Sequence, residues 1–190
     1  MADNCSFLIS NYKVYHIPSK EGIALKIGGK LLERKTGRRS RYWQVFWLCF
    51  AVAAALFLPH CIIDGLNGDF FHYAGDFNDQ QISFYSYANN FVKQGGSFSW
   101  ATDLGSGFVN SYSFYLCGSP FFWLTLPFPS AAVPYLMGPL LMLKFACAGT
   151  AAYALLRRFV RPNLAMLGGI LYAFSGFSIY NVFFNHFHEA

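Results

Sequence analysis

Three long apolar runs divide the chain. The first extends from about residue 42 or 43 to residue 63, interrupted only by Gln44 near its start and by Pro59-His60 near its end. The second covers residues 133–156 and the third residues 164–184. Each is close to or above the length of about 20 apolar residues that crosses a hydrocarbon core of roughly 30 Å, so each predicts a transmembrane helix. Between the first two runs the pattern changes. Phe77, Phe84, Ala88 and Phe91 recur at spacings of seven, four and three, which is one face of a helix, and Gly95-Gly96 supplies a stop. This predicts an amphipathic helix over about residues 77–94, lying on a membrane surface as part of the segment 64–132. A connection of that length is too long to be plain, since structureless loops beyond roughly 12–15 residues are uncommon in compact domains.

Composition agrees with the runs. With 55% apolar, 20% aromatic and only 12% charged residues and a mean hydropathy of +0.32, the chain is far from a soluble average. The formal charge of +5 raises the question of nucleic acid, but nine of the 14 Lys and Arg lie in residues 1–42, so no nucleic-acid partner is expected. That basic tail carries Pro18, Gly22, Gly28, Gly29 and Gly37, which are expected to interrupt any long helix. A short amphipathic turn over residues 23–34 and a flexible tail held to anionic lipid by charge both stay open. The tail and the link Arg157-Arg158-Phe159-Val160-Arg161-Pro162-Asn163 together hold 12 of the 14 basic residues. The positive-inside rule places both in the cytoplasm, and puts residues 64–132 and the end at 185–190 outside. The outer segment is acidic, with Asp64, Asp69, Asp76, Asp79 and Asp103 against Lys93. Tyr42, Trp43 and Trp47 mark the headgroup level at the basic end, and Pro59 is expected to mark the exit of the first helix.

The second and third runs look built to pack on protein. Ala148 with Ala152, and Ala173 with Gly176, set small side chains on common faces, and Gly168, Gly169, Ser175 and Ser178 add to them. Three helices make a thin bundle, so the chain is expected to be the amino-terminal part of a larger polytopic protein. Of the five cysteines, Cys61 and Cys117 alone are placed to meet outside the membrane. No Walker loop, zinc-type cysteine pattern or Gly-x-Ser-x-Gly elbow occurs.

The candidate chemistry lies in Gly75-Asp76-Phe77-Asn78-Asp79-Gln80-Gln81. Asp76 and Gln80 are four apart and share a helix face, with Asp79 displaced slightly. Two carboxylates so close repel unless a metal, a cationic substrate or a proton lies between them. Asp76 is the candidate functional carboxylate and Asp79 its helper, while a plain helix cap at Asp76 stays open. Trp100, Asn110 and the surrounding aromatic-glycine loop suit a sugar, whose C–H faces stack on rings while its hydroxyls seek amides and carboxylates. Lys144, near the middle of the second helix, is costly there, at about 2.5–3.5 kcal/mol on insertion scales. It is expected to face the bundle interior and to pair with a carboxylate or a lipid phosphate. The terminal His186-Phe187-His188-Glu189 patch is expected near the loop cluster; a bent terminus that sets one histidine beside His72 or Asp79, with Asp76, Asp79 and His186 as candidate ligands of a divalent metal, and plain interfacial residues or the start of a longer helix all stay open.

In their order and spacing, several pieces resemble the start of the bacterial YfhO family of multi-pass membrane proteins, over roughly residues 43–190. They are Gly75-Asp76 followed by Gln80, Phe98-Ser99-Trp100, Leu104-Gly105-Ser106-Gly107, Tyr115-Leu116-Cys117-Gly118-Ser119-Pro120-Phe121, Leu143-Lys144, Ala148-Gly149 and Leu171-Tyr172-Ala173-Phe174-Ser175-Gly176-Phe177. The resemblance implies a GT-C type membrane glycosyltransferase in the bacterial cell membrane. Its donor would be a polyprenyl-phosphate-linked sugar and its acceptor a cell-envelope polymer on the outer face, such as teichoic acid. It also implies a bundle of a dozen or so helices, of which this chain holds the first. An acidic residue of the first external loop then serves as general base or holds a metal, and Asp76 is the matching position. The competing class is a carrier or assembly subunit for a polyprenyl lipid, which needs a path through the bundle and no base.

Overall fold

A computed structural model of the chain describes residues 28–182. The chain divides into two units, Met1–Arg38 and Arg39–Ala190, and the apolar runs and the loop between them belong to the second. The first helix, α1, spans Gly28–Leu66. It takes in residues 28–42, which were expected to be kept from helix by their glycines. A lone glycine costs a helix only about 1 kcal/mol relative to alanine, and Lys30, Leu31, Leu32, Glu33 and Arg34 around it are good helix formers. The segment Arg41–Leu66 is long and apolar enough to cross a membrane, as are Ser130–Leu156 and Pro162–Tyr180. Pro59 lies inside α1 rather than at its exit. It removes one backbone donor, but the chain continues helically to Leu66, where the Asn67 amide donates to the carbonyls of Ile63 and Asp64 at 3.2 and 3.1 Å.

Val45, Cys49, Ala53 and Phe57, four apart, form the buried stripe of α1, whereas Trp43, Trp47, Leu56, Ile62 and Ile63 are exposed. That division suits one protein-facing and one lipid-facing side. Helix α5 (Val133–Leu156) begins where the apolar pattern predicts and is buried along much of its length. The third run differs from expectation. Instead of one helix over 164–184 it forms α6 (Pro162–Ala173) and α7 (Gly176–Tyr180), with residues 183–184 outside the described part. Phe174 leaves helical geometry at φ −104° and ψ 29°, and Ser175, extended, caps α7 by accepting from the Ser178 amide at 3.2 Å. Ala173 and Gly176 therefore do not share a helix face. The close approach is made by Gly149 and Gly169 instead: a Cβ on Gly149 would lie 2.5 Å from the Cys49 sulfur, and one on Gly169 would lie 2.7 Å from the Gly149 carbonyl oxygen.

The segment between α1 and α5 is folded, not a plain linker. A π-helical turn, Phe77–Ile82, runs directly into α2 (Ser83–Gln94). Gly95 ends the helix in the left-handed region at φ 70°, its amide donating to the Val92 carbonyl at 3.2 Å. A short antiparallel hairpin follows, β1 (Phe98–Ser99) with β2 (Ser106–Gly107), in the register Phe98 to Gly107 and Ser99 to Ser106. Then come α3 (Phe108–Tyr112), a second π-helical turn (Ser113–Cys117), α4 (Pro120–Trp123) and a 3-10 turn (Ser130–Ala132) that enters α5. A continuous aromatic core joins this segment to the membrane-crossing helices: Phe57 of α1, Phe71, Phe77, Tyr85, Phe91, Phe108, Phe122 and Phe145 of α5 are all buried in it. Cys61 and Cys117, considered as partners, are both free thiols.

Candidate functional site

The acids of the segment take different parts. Asp64, in the last turn of α1, accepts the His72 amide through Oδ2 at 3.1 Å, and its carbonyl accepts the Asp69 amide at 3.0 Å. It shapes the return of the chain. Asn78 does the same one step later, its Oδ1 accepting the Tyr73 amide at 2.9 Å. Gly75, at φ 53°, makes the sharp turn between them, and its carbonyl receives the amides of Asn78 and Asp79 at 3.0 and 3.2 Å.

Asp76 stands at the N-cap position of the π-helical turn, but its side chain makes no cap bond. An N-cap carboxylate reaches the next free amides when its own backbone is extended. Asp76 is already helical, at φ −60° and ψ −19°. Its Oδ1 accepts instead from Gln80 Nε2 at 3.1 Å, in a half-buried position, and among the described residues its Oδ2 accepts nothing. Asp79 lies three residues on and is exposed. Among the described residues no three His, Cys, Asp or Glu side chains converge on a common point, and His186 lies outside them. Asp76 and Asp79 alone fall short of a metal-ligand set.

The buried side of the same helical stretch is polar in a way the hydrophobic pattern hid. Gln81, Tyr85 and Asn89, all buried, and the exposed Lys93 are four apart and form one stripe. Tyr85 Oη and Ser119 Oγ are 3.3 Å apart, Asn89 Nδ2 donates to the Thr125 carbonyl at 2.8 Å, and Lys93 Nζ donates to the Phe128 carbonyl. These bonds pin α2 to the segment 119–128. Asn89 is fully buried; its Nδ2 is satisfied by Thr125, while its Oδ1 accepts nothing among the described residues. Gln81, at the head of the stripe and only 4% exposed, differs: neither end of its amide has a hydrogen-bond partner among the described residues. A buried amide without partners costs about 1–3 kcal/mol. Gln81→Met, which keeps the length and removes the amide, is therefore expected to raise unfolding stability in detergent by about 1–3 kcal/mol. A loss of stability in a thermal unfolding scan would show that the amide is hydrogen-bonded in the working protein.

Lys144 is 6% exposed and faces the interior from the middle of α5. Its ammonium lies 5.6 Å from the centre of the Tyr85 ring and 5.5 Å from that of Phe121, and ring faces offset part of the cost of burying a cation. Lys144 thus adjoins the polar stripe one turn beyond Gln81. Trp100 and Asn110 are placed elsewhere. Trp100 is 80% exposed on the hairpin, its ring packed against Gly105, and the exposed Asn110 lies against Gly107. Neither bonds to the Asp76–Gln80 pair. Burial, and after it the nearby Asp103 and Tyr87, holds the Tyr112 phenol above its ordinary range, and burial does the same for the Cys117 thiol. Neither is an activated nucleophile.

Among the described residues, three helices able to cross a membrane, a helical and aromatic segment folded over one end and almost no strand define an all-α membrane protein. The family model of the bacterial membrane protein YfhO matches residues 46–190, and the chain belongs to that family. No curated protein and no solved structure matches it.

Proposed function

We propose that the protein is a membrane glycosyltransferase that moves a sugar from a polyprenyl-phosphate carrier to a cell-envelope polymer on the outer face of the bacterial cell membrane. The observation that carries this reading is Asp76: a half-buried carboxylate beside the membrane-crossing helices, not spent on capping, with one oxygen held by Gln80 and the other open. In the reaction, Asp76 Oδ2 takes the proton of an acceptor hydroxyl as that oxygen attacks the anomeric carbon. The bond from that carbon to the lipid phosphate breaks, and its electron pair leaves on the phosphate oxygen. The departing phosphate needs a positive charge, and Lys144 is the interior cation nearest in the fold to the polar stripe. Asp79, exposed three residues after Asp76, adds negative charge beside it. Trp100, on its exposed hairpin, serves the acceptor sugar, and Asn110 goes with it.

The placement of buried polar groups supports transfer over carriage. A through-path needs polar side chains on several crossing helices, and among the described residues the buried ones are Lys144 and the Tyr153 phenol, both on α5. The test is reconstitution of the full-length protein with a radiolabelled polyprenyl-phosphate sugar and membranes carrying the acceptor polymer. Label is expected to pass to the polymer. Movement of the labelled lipid between leaflets without any transfer would overturn the reading and favour a carrier. The outer placement of residues 64–132 has its own test in a background lacking native cysteines. Asp103→Cys is expected to react with an impermeant maleimide from outside and Lys35→Cys only after permeabilisation; the reverse pattern would invert the topology.

A further inference from the structure

We infer that the basic end of the helix bundle carries a specific binding site for the phosphate headgroup of an anionic phospholipid, between α1, α5 and α6. A cavity of about 110 Å³ lies there. Its rim is polar and exposed, formed by Arg41, Gln44 and Asn163, and its deeper wall is formed by Val45, Tyr153 and Met166. Arg41 Nη1 donates to Asn163 Oδ1 at 3.3 Å, which ties α1 to α6 across the opening. That partner is a neutral amide, so the charge on Arg41 is not cancelled and most of its five donors stay available. Behind the cavity the Arg157 guanidinium lies over two touching rings, 5.1 Å from Tyr42 and 5.7 Å from Tyr153, and its buried Nη1 has no hydrogen-bond partner among the described residues. Tyr153 is shared, since it walls the cavity and carries Arg157.

The charge here has no counterpart among residues 41–182 at this end. Arg41, Arg157, Arg158 and Arg161 gather there, while no Asp or Glu occurs between Arg34 and Ile63 or between Leu104 and His188. At the end of membrane-crossing helices the abundant anion is a lipid headgroup. A fork-shaped guanidinium with a neighbouring amide matches phosphate oxygens, and the apolar wall suits the start of an acyl chain. The arrangement lies at the opposite end from Asp76, so the inference stands independently of the transfer reading.

The test uses the full-length protein in nanodiscs of phosphatidylcholine, with phosphatidylglycerol titrated in and bound lipid counted by native mass spectrometry. Phosphatidylglycerol is expected to bind in preference to phosphatidylcholine, and Arg41→Gln to weaken that binding about tenfold, the scale of one charged hydrogen bond. Arg158→Gln, exposed and outside the cavity, is expected to change it less than about twofold. Equal losses in the two variants would reduce the site to a diffuse positive field, and displacement of the lipid by millimolar inorganic phosphate would make it a free-anion site; either overturns the inference. Should Arg41→Gln not fold, Asn163→Leu decides, because it fills the rim without removing charge. It too is expected to lose the preference, and unchanged binding would overturn the site.

Discussion

Asp76→Asn in the complete protein is expected to lower sugar transfer by at least about a hundredfold while leaving the yield of folded protein unchanged. The structure makes this a clean substitution. Asn keeps an Oδ1 to accept from Gln80 Nε2, the one bond the Asp76 side chain makes among the described residues, so the start of the helical stretch should be undisturbed. What it loses is the ability to take a proton. A capping role would give a different outcome, because Asn caps about as well as Asp, and transfer would survive. Asp79→Asn provides the comparison: its side chain is exposed and, among the described residues, makes no hydrogen bond, so the change is expected to cost much less. Transfer assays on membranes with matched protein levels decide the matter, and full activity of Asp76→Asn would leave Asp76 as a helix-start residue only.

The second large effect is expected in folding. A Cβ on Gly169 would lie 2.7 Å from the Gly149 carbonyl oxygen and 3.2 Å from the Tyr153 nitrogen. Both are backbone atoms of α5, so neither can swing aside, and α6 must move away as a body. Gly169→Ala is expected to cost about 1–3 kcal/mol in thermal unfolding, as overpacking does, and Gly169→Val to abolish the folded species on size exclusion. Gly168→Ala meets only the Leu156 Cδ1 methyl at 2.6 Å, the end of a flexible side chain, and should be milder. Gly176→Ala meets nothing within 4 Å and is expected to stay within about 0.5 kcal/mol. If Gly169→Ala were as stable as Gly176→Ala, the α5–α6 crossing would not be the close one described.

The small-residue rule was right about the kind of interface and included Gly169 and Ala173, but it missed Gly149 and included residues that lie elsewhere. Ala148, Ala152 and Gly176 fit the pattern as well as Gly149 and Gly169 do, because spacing defines several faces of a helix and only the neighbour selects one. The polar stripe shows the same limit from the other side. Gln81, Tyr85, Asn89 and Lys93 lie at perfect helical spacing, but polar residues on a regular face ordinarily point to water. Nothing in the local sequence says that Ser119, Thr125 and the Phe128 carbonyl will cover three of the four.

The amino-acid sequence by itself determined that this is an all-α membrane protein with three crossing segments, that α5 starts at Val133 and α2 stops at Gly95, and that Asp76 and Gln80 meet. Those are properties of apolar run length, of one glycine's left-handed backbone and of residues four apart on one helix, all of them local. Tertiary structure alone decided that the third run breaks at Phe174 and Ser175 and that Lys144 faces Tyr85. It also decided that an arginine on α1 reaches an asparagine on α6 122 positions away. Each of these depends on which distant backbone arrives beside the residue, and packing settles that over the whole bundle at once.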